Sequence, residues 1–71
     1  MMNMTDARVY AIIETETGND EFGMSSSIRG DLGLDSLELQ SLLIEVESEF
    51  DVEIDDCDEI ITVGDLCKRL Q

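Results

Sequence analysis

The sequence predicts an all-α protein, a small bundle of three main helices and one short helix in a single domain over residues 1–71. Three observations predict this class. Apolar residues recur at helical spacing, residues typical of helix caps precede these stretches, and no stretch of useful length alternates with period two. The apolar fraction of 42% is enough for one core. A chain this short has too little material for a deep catalytic cleft.

The first helix is predicted to begin after Thr5, which can act as its N-cap, with Asp6 in the first turn. Gly18 is the first of three residues expected to end it. A polar loop then follows through Gly23 and residues 25–27. The apolar stripe of the helix consists of Val9, Ile12 and Ile13. The loop residues expected to anchor in the core are Phe22, Met24 and Ile28.

The strongest helix signal covers residues 35–50. Asp35 is a good N-cap, and Glu38 stands where a capping box places its acidic residue. Leu37 and Ile44 point away from the predicted core face and should be exposed. The core face spans an arc of about 100° and consists of Leu39, Leu42, Leu43, Val46 and Phe50.

A short acidic helix is predicted near residues 56–60, and a last helix over residues 63–70. Thr62 is the expected N-cap of the last helix, with Asp65 completing a second capping box. Cys57 and Cys67 are too few for a disulfide framework and are interpreted as small core residues. The apolar side of the last helix consists of Val63, Leu66, Cys67 and Leu70.

Charge limits the kinds of partner. Eighteen acidic residues and four basic residues give a formal net charge of −14, which would repel nucleic acid and anionic lipid. No Lys or Arg occurs between Arg29 and Lys68, a stretch that carries thirteen acidic residues. Two interpretations stay open: a solvated acidic surface, or a docking face for basic proteins. The N-terminus shows neither a basic segment nor a long apolar run, so a cytoplasmic monomer without membrane insertion is expected.

Residues 30–38 form the candidate functional segment of the sequence. Glycines allow the chain to turn sharply, and Asp35 as N-cap places Ser36 at the first helical position. The Ser36 hydroxyl is therefore expected at the surface beside unpaired backbone N–H groups. A phosphate attached there would gain ~0.3–1 kcal/mol from the helix terminus.

Residues 31–37 resemble the phosphopantetheine attachment motif of acyl carrier proteins, in which the modified serine lies between Asp and Leu. The similarity also includes Ile28 upstream, residues 50–54 at the exit of the second helix, and residues 60–63 at the entry of the last. The resemblance implies a carrier domain with 4′-phosphopantetheine covalently attached to Ser36, serving fatty acid, polyketide or specialised lipid synthesis. It also implies that Asp35 helps to bind the Mg²⁺ of a phosphopantetheinyl transferase.

A carrier of this kind is not itself an enzyme. The chain has no histidine, and Ser36 has no evident base beside it in the sequence. The implied partners are the transferase and acyl-transferring or synthase enzymes with basic docking surfaces. Family members commonly carry acidic residues on the outer face of the second helix, whereas neutral residues occupy it here, which suggests a dedicated pathway. The predicted partner-binding residues are Leu37, Gln40, Ser41, Ile44, Glu45, Glu47 and Ser48.

Other interpretations remain open from the sequence. Ser36 and Asp35 could simply start a helix, or the carrier could hold aminoacyl or peptidyl groups. A small acidic cation-binding module is a different class, but residues 51–62 fail the EF-hand pattern at Asp56 and Thr62. A serine hydrolase would need a Gly-x-Ser-x-Gly turn and a histidine, and the chain has neither. No metal site of the chain's own is predicted.

Overall fold

A computed structural model describes residues 2–71, and Met1, where the predicted domain starts, lies outside them. The chain forms α1 (Met4–Thr17), α2 (Ser36–Phe50) and α3 (Val63–Arg69), with a 3₁₀ turn at Cys57–Glu59 between α2 and α3. The all-α prediction is confirmed. Extended pairing among these residues is limited to one isolated antiparallel bridge between Ser27 and Thr62. None of the helices in this part of the chain has the length and apolar character to cross a membrane.

The start of α1 corrects the prediction that Thr5 is the N-cap. Asn3 takes that position, because its side-chain oxygen accepts a hydrogen bond from the Asp6 N–H at 2.8 Å. Thr5 therefore lies inside the first turn. The helix ends where predicted, at Gly18, which adopts a left-handed φ of 69° and donates its N–H to the Glu14 carbonyl.

The core forms where the three helices and the long loop meet. Phe50, Leu70 and Ile12 were predicted to face it, and they pack against its edge, partly buried. Both cysteines were predicted to be small core residues. Cys67 is buried in the core, whereas Cys57 is only partly buried. The buried apolar residues are Val9, Ile13, Ile28, Leu34, Leu39, Leu42, Leu43, Val46, Ile60, Val63, Leu66 and Cys67.

The loop between α1 and α2 is fastened to the start of α3 by backbone hydrogen bonds. The Ile28 N–H donates to the Ile61 carbonyl at 2.9 Å, and the Gly64 N–H donates to the Met24 carbonyl at 2.8 Å. Ile28 is fully buried, and Met24 packs against the core. The predicted anchoring of this loop is confirmed, and the anchoring holds the segment that leads into α2.

The second predicted capping box is present at the start of α3. Thr62 Oγ1 accepts from the Asp65 N–H at 3.1 Å, and Asp65 Oδ2 accepts from the Thr62 N–H at 3.0 Å. Asp65 Oδ2 also accepts from the Ile61 N–H at 3.0 Å. These backbone hydrogen bonds favour the charged carboxylate and hold the pKa of Asp65 below its ordinary value of 3.8.

Candidate functional site

The turn that leads into α2 is organised around Ser27. The Ser27 carbonyl accepts from the N–H groups of Asp31 and Leu32, and its hydroxyl accepts from the Gly30 N–H at 2.9 Å. Asp31 closes the turn, because its carboxylate accepts from the Ser27 N–H at 2.7 Å. Gly33 then takes a left-handed φ of 71°, a conformation that glycine adopts without steric cost.

Sequence reasoning missed the role of Ser27, which it treated only as part of a polar loop. The available signal was its spacing of four residues from Asp31, which allows a carboxylate to bond the serine backbone. Leu34 was also missed as an anchor. Its side chain is buried and its N–H donates to the Ile28 carbonyl at 3.3 Å, so the chain enters α2 from a fixed point.

Asp35 forms the predicted capping box at the start of α2. Its Oδ1 accepts from the Glu38 N–H at 2.8 Å, and Glu38 Oε1 accepts from the Asp35 N–H at 3.2 Å. Ser36 is the first residue of the helix and is exposed. Within residues 2–71, its hydroxyl makes no hydrogen bond to another residue. The site therefore presents a serine to solvent, and no carboxylate among residues 2–71 is hydrogen-bonded to its hydroxyl.

Leu37 and Ile44 lie on the outer face of α2, with 76% and 63% of their surfaces exposed. Their predicted exposure is confirmed. Glu47 differs from the other predicted partner-binding residues, because it is half-buried and its Oε2 accepts from the Ile54 N–H at 2.7 Å. The remaining predicted partner-binding residues are exposed on α2: Gln40, Ser41, Glu45 and Ser48.

The acidic loop after α2 was the best candidate for a cation-binding module. Among the residues that the structure describes, no group of three or more His, Cys, Asp or Glu side chains converges in a way that could hold a metal ion. Asp56 instead accepts a hydrogen bond from Arg69 Nε at 2.6 Å. At least one carboxylate of this loop is therefore paired with a helix of the bundle.

Comparison with known proteins agrees with this geometry. The family model described as a phosphopantetheine attachment site matches residues 7–70. An acyl carrier protein of Thermotoga maritima is 39% identical over 69 residues, an alignment that covers 92% of this chain and 85% of that protein. The chain therefore belongs to the acyl carrier protein family, whose members carry a covalently attached 4′-phosphopantetheine group.

Proposed function

We propose that Ser36 is the attachment point of 4′-phosphopantetheine and that residues 1–71 act as one carrier domain for acyl intermediates. The observation that supports this most directly is the exposed Ser36 hydroxyl at the first position of α2. Membership of the acyl carrier protein family implies the group, and the local geometry supports Ser36 as the residue that receives it. When attached, the group supplies a terminal thiol that holds acyl cargo as a thioester.

The start of α2 fits a phosphate group. The capping box uses the N–H groups of Asp35 and Glu38. The N–H groups of Ser36 and Leu37 belong to the first turn, which lacks partners within its own helix, so they can donate to phosphate oxygens. No bulky side chain has to move, because residues 35–38 are all exposed.

Ser36 depends on another protein for its modification. The neighbouring carboxylates of Asp35 and Glu38 form the cap, and neither is hydrogen-bonded to the Ser36 hydroxyl to act as its base. A serine hydroxyl that no base activates is a weak nucleophile at neutral pH. We propose that the transferase supplies the base and that Asp35 contributes a carboxylate oxygen to the transferase's Mg²⁺, a ligand suited to a hard cation.

The outer face of α2 supports a role in a dedicated pathway. Leu37, Ser41, Ile44 and Ser48 form a neutral row along this face, which we name the crest. Fatty acid, polyketide and specialised lipid pathways all use carriers of acyl groups, and we propose that this chain serves a dedicated acyl or aminoacyl pathway and not general fatty-acid elongation. Fatty-acid elongation enzymes are expected to use the loaded chain less efficiently than a general carrier. Equal efficiency in a competition assay would reject the assignment to a dedicated pathway.

The attachment site is tested by incubating the chain with coenzyme A, Mg²⁺ and a phosphopantetheinyl transferase and measuring the intact mass. Wild type is expected to gain the mass of one arm, and Ser36→Ala is expected to gain none. Ser25→Ala is the matched control, because Ser25 is also an exposed serine but lies outside α2 and outside the predicted partner-binding residues, and it should be modified like wild type. Modification of Ser36→Ala would overturn the proposal.

A further inference from the structure

An open groove of about 230 Å³ runs between α1 and α2, away from the core and from Ser36. Its α1 side presents Ala11, Ile12 and Thr15, and most of the surface that lines the groove is apolar. Its α2 side presents Glu45 and Glu49, which lie on one flank of the crest. We call this feature the α1–α2 groove. Nothing in the attachment chemistry of Ser36 uses it.

Arg8 lies at one end of the groove and forms an ion pair with one of its carboxylates, Glu49. Its guanidinium donates to Glu49 Oε1 at 2.8 Å and to the Glu49 carbonyl at 3.1 Å. The same guanidinium lies 4.4 Å from the centre of the Phe50 ring, a cation–π distance. Because Arg8 is near the start of α1 and Phe50 ends α2, the two helices run antiparallel.

Two carboxylates of the groove have no such counter-ion. Glu16 lines the groove from α1 and Glu45 lines it from α2, and among residues 2–71 neither forms an ion pair. The antiparallel register places Glu45 near the level of Ile12, with Glu16 about one turn further along α1. The groove thus combines an apolar floor with unpaired negative charge on both walls.

This combination is complementary to a lysine or arginine side chain, whose methylene stem can cover apolar surface while its cation reaches carboxylates. We infer that the α1–α2 groove receives a lysine or arginine of a partner protein and that Glu16 and Glu45 pair with its cation. The inference rests on the proposed carrier function, which requires partner enzymes. A partner helix that packs on the exposed Leu37 and Ile44 of the crest would bring a basic side chain over the adjoining edge of the groove.

The opposite flank of α2 fits a basic partner less well. Its acidic residue, Glu47, already bonds the Ile54 N–H through its carboxylate. On α2 itself, Glu45 on the α1 side is the carboxylate that neither a cap, a backbone hydrogen bond nor an ion pair engages among residues 2–71. The groove makes docking asymmetric, which a uniformly acidic surface would not do.

A synthetic amphipathic helical peptide of leucine and lysine serves as the probe, titrated into the ¹⁵N-labelled full chain and followed by NMR. The test variant is Glu16→Gln/Glu45→Gln. The matched control is Glu14→Gln/Glu53→Gln, which removes the same charge at exposed positions outside the groove. Thermal melts verify that both variants are folded.

Binding to the groove variant is expected to be about tenfold weaker than to wild type, since two exposed ion pairs are lost. Binding to the control is expected to stay within about twofold. The peptide should shift the amide signals of Ala11, Ile12 and Thr15 in wild type. If the peptide bound both variants equally more weakly than wild type, binding would depend on net charge alone and the inference would be overturned. Wild-type affinity in both variants would overturn it as well.

Intact-mass analysis of the same proteins separates this inference from the proposed function. Modification is scored in wild type, whose Ser36 site and groove are both intact, so the result does not depend on how the groove substitutions affect the transferase. If wild type is not modified, the proposed attachment fails whatever the peptide does. If modification is normal and the peptide does not distinguish the variants, only the groove assignment fails.

Discussion

Asp35 caps α2 and is proposed to bind the Mg²⁺ of the transferase. Two substitutions of this residue separate the two roles. Asparagine can also cap a helix, so Asp35→Asn should keep the stability of wild type to within about 0.5 kcal/mol. Asp35→Ala should lose about 1 kcal/mol with the cap. Both variants should be modified by the transferase more slowly, because each lacks the carboxylate proposed to meet Mg²⁺.

Denaturant unfolding and the rate of mass gain are the measurements for these two variants. Wild-type rates of modification in Asp35→Asn would show that Asp35 serves only as the cap. Substitution of this one residue is a sufficient test, because the capping hydrogen bond at 2.8 Å joins Asp35 and Glu38 alone.

The two cysteines differ in their surroundings, and their reactivity should differ accordingly. Burial, followed by a hydrogen bond to Asp6 and its charge, raises the pKa of Cys67 from 9.0 to about 12. The reactive thiolate of Cys67 is therefore scarce in the folded chain at pH 8. A chromogenic disulfide reagent should label Cys57 quickly and Cys67 only on unfolding. Rapid labelling of folded Cys57→Ser would contradict this prediction.

The raised pKa also has a consequence for stability. The Cys67 thiol of the unfolded chain ionises near its ordinary value of 9.0, whereas in the folded chain it stays protonated up to about 12. Between these values the unfolded state binds fewer protons than the folded state. Cys67 therefore contributes a loss of stability as the pH rises above 9.0.

At the scale of elements, the close approach of α3 to the long loop explains why residue 64 is a glycine. A Cβ added at Gly64 would lie 3.0 Å from the Met24 carbonyl oxygen, which already accepts the Gly64 N–H at 2.8 Å. Gly64→Ala should lower the free energy of unfolding by about 1 kcal/mol, because backbone must shift to make room.

Gly23→Ala is the control for Gly64→Ala, since a Cβ at Gly23 would have no atom within 4 Å. Its unfolding free energy should change by less than about 0.5 kcal/mol. Urea denaturation followed by circular dichroism measures both. Equal effects would mean that the loop yields easily and does not hold the start of α3.

α2 is the element on which the parts of the proposed function meet. Its first turn presents Ser36, its buried side fills the core, and its crest and one flank face solvent. A rigid helix keeps these features at a constant distance from each other. Under the proposed function, a partner that binds the crest would therefore find the arm on Ser36 at a constant distance.

At the scale of the whole molecule, self-repulsion dominates the electrostatics. The net charge is −14, and the molecule measures 28 × 25 × 20 Å. The Debye length is about 30 Å at 0.01 M salt, so in dilute buffer almost every carboxylate repels every other. The ion pairs of Arg8 and Arg69 offset only a small part of this repulsion.

The melting temperature should therefore rise when salt is increased from about 0.01 M to about 1 M, where the Debye length is ~3 Å. Mg²⁺ should act at lower concentration, because a divalent ion screens more strongly. Glu14→Gln/Glu53→Gln should melt higher than wild type in dilute buffer and respond less to salt. An unchanged midpoint in calorimetry would reject the prediction.

The local features of this protein were readable in the sequence. The capping box of Asp35 and Glu38 closes over four residues, and the exposure of Leu37 and Ile44 follows from the helical repeat alone. The placement of Ser36 at a helix start is local for the same reason. The prediction for the start of α1 was wrong by two residues, although the residue types favour Asn3, because asparagine is a stronger N-cap than threonine.

The sequence by itself determined the all-α class, the three helices and the solvent-exposed position of Ser36, because hydrogen bonds and side-chain periodicity within a few residues decide each of them. Only the tertiary structure decided the contacts that join distant segments. Arg8 meets Glu49 across 41 residues, Gly64 meets the Met24 carbonyl, and Cys67 is buried near Asp6. These contacts depend on how the helices pack, and packing depends on the shapes of many side chains at once, which no local pattern contains.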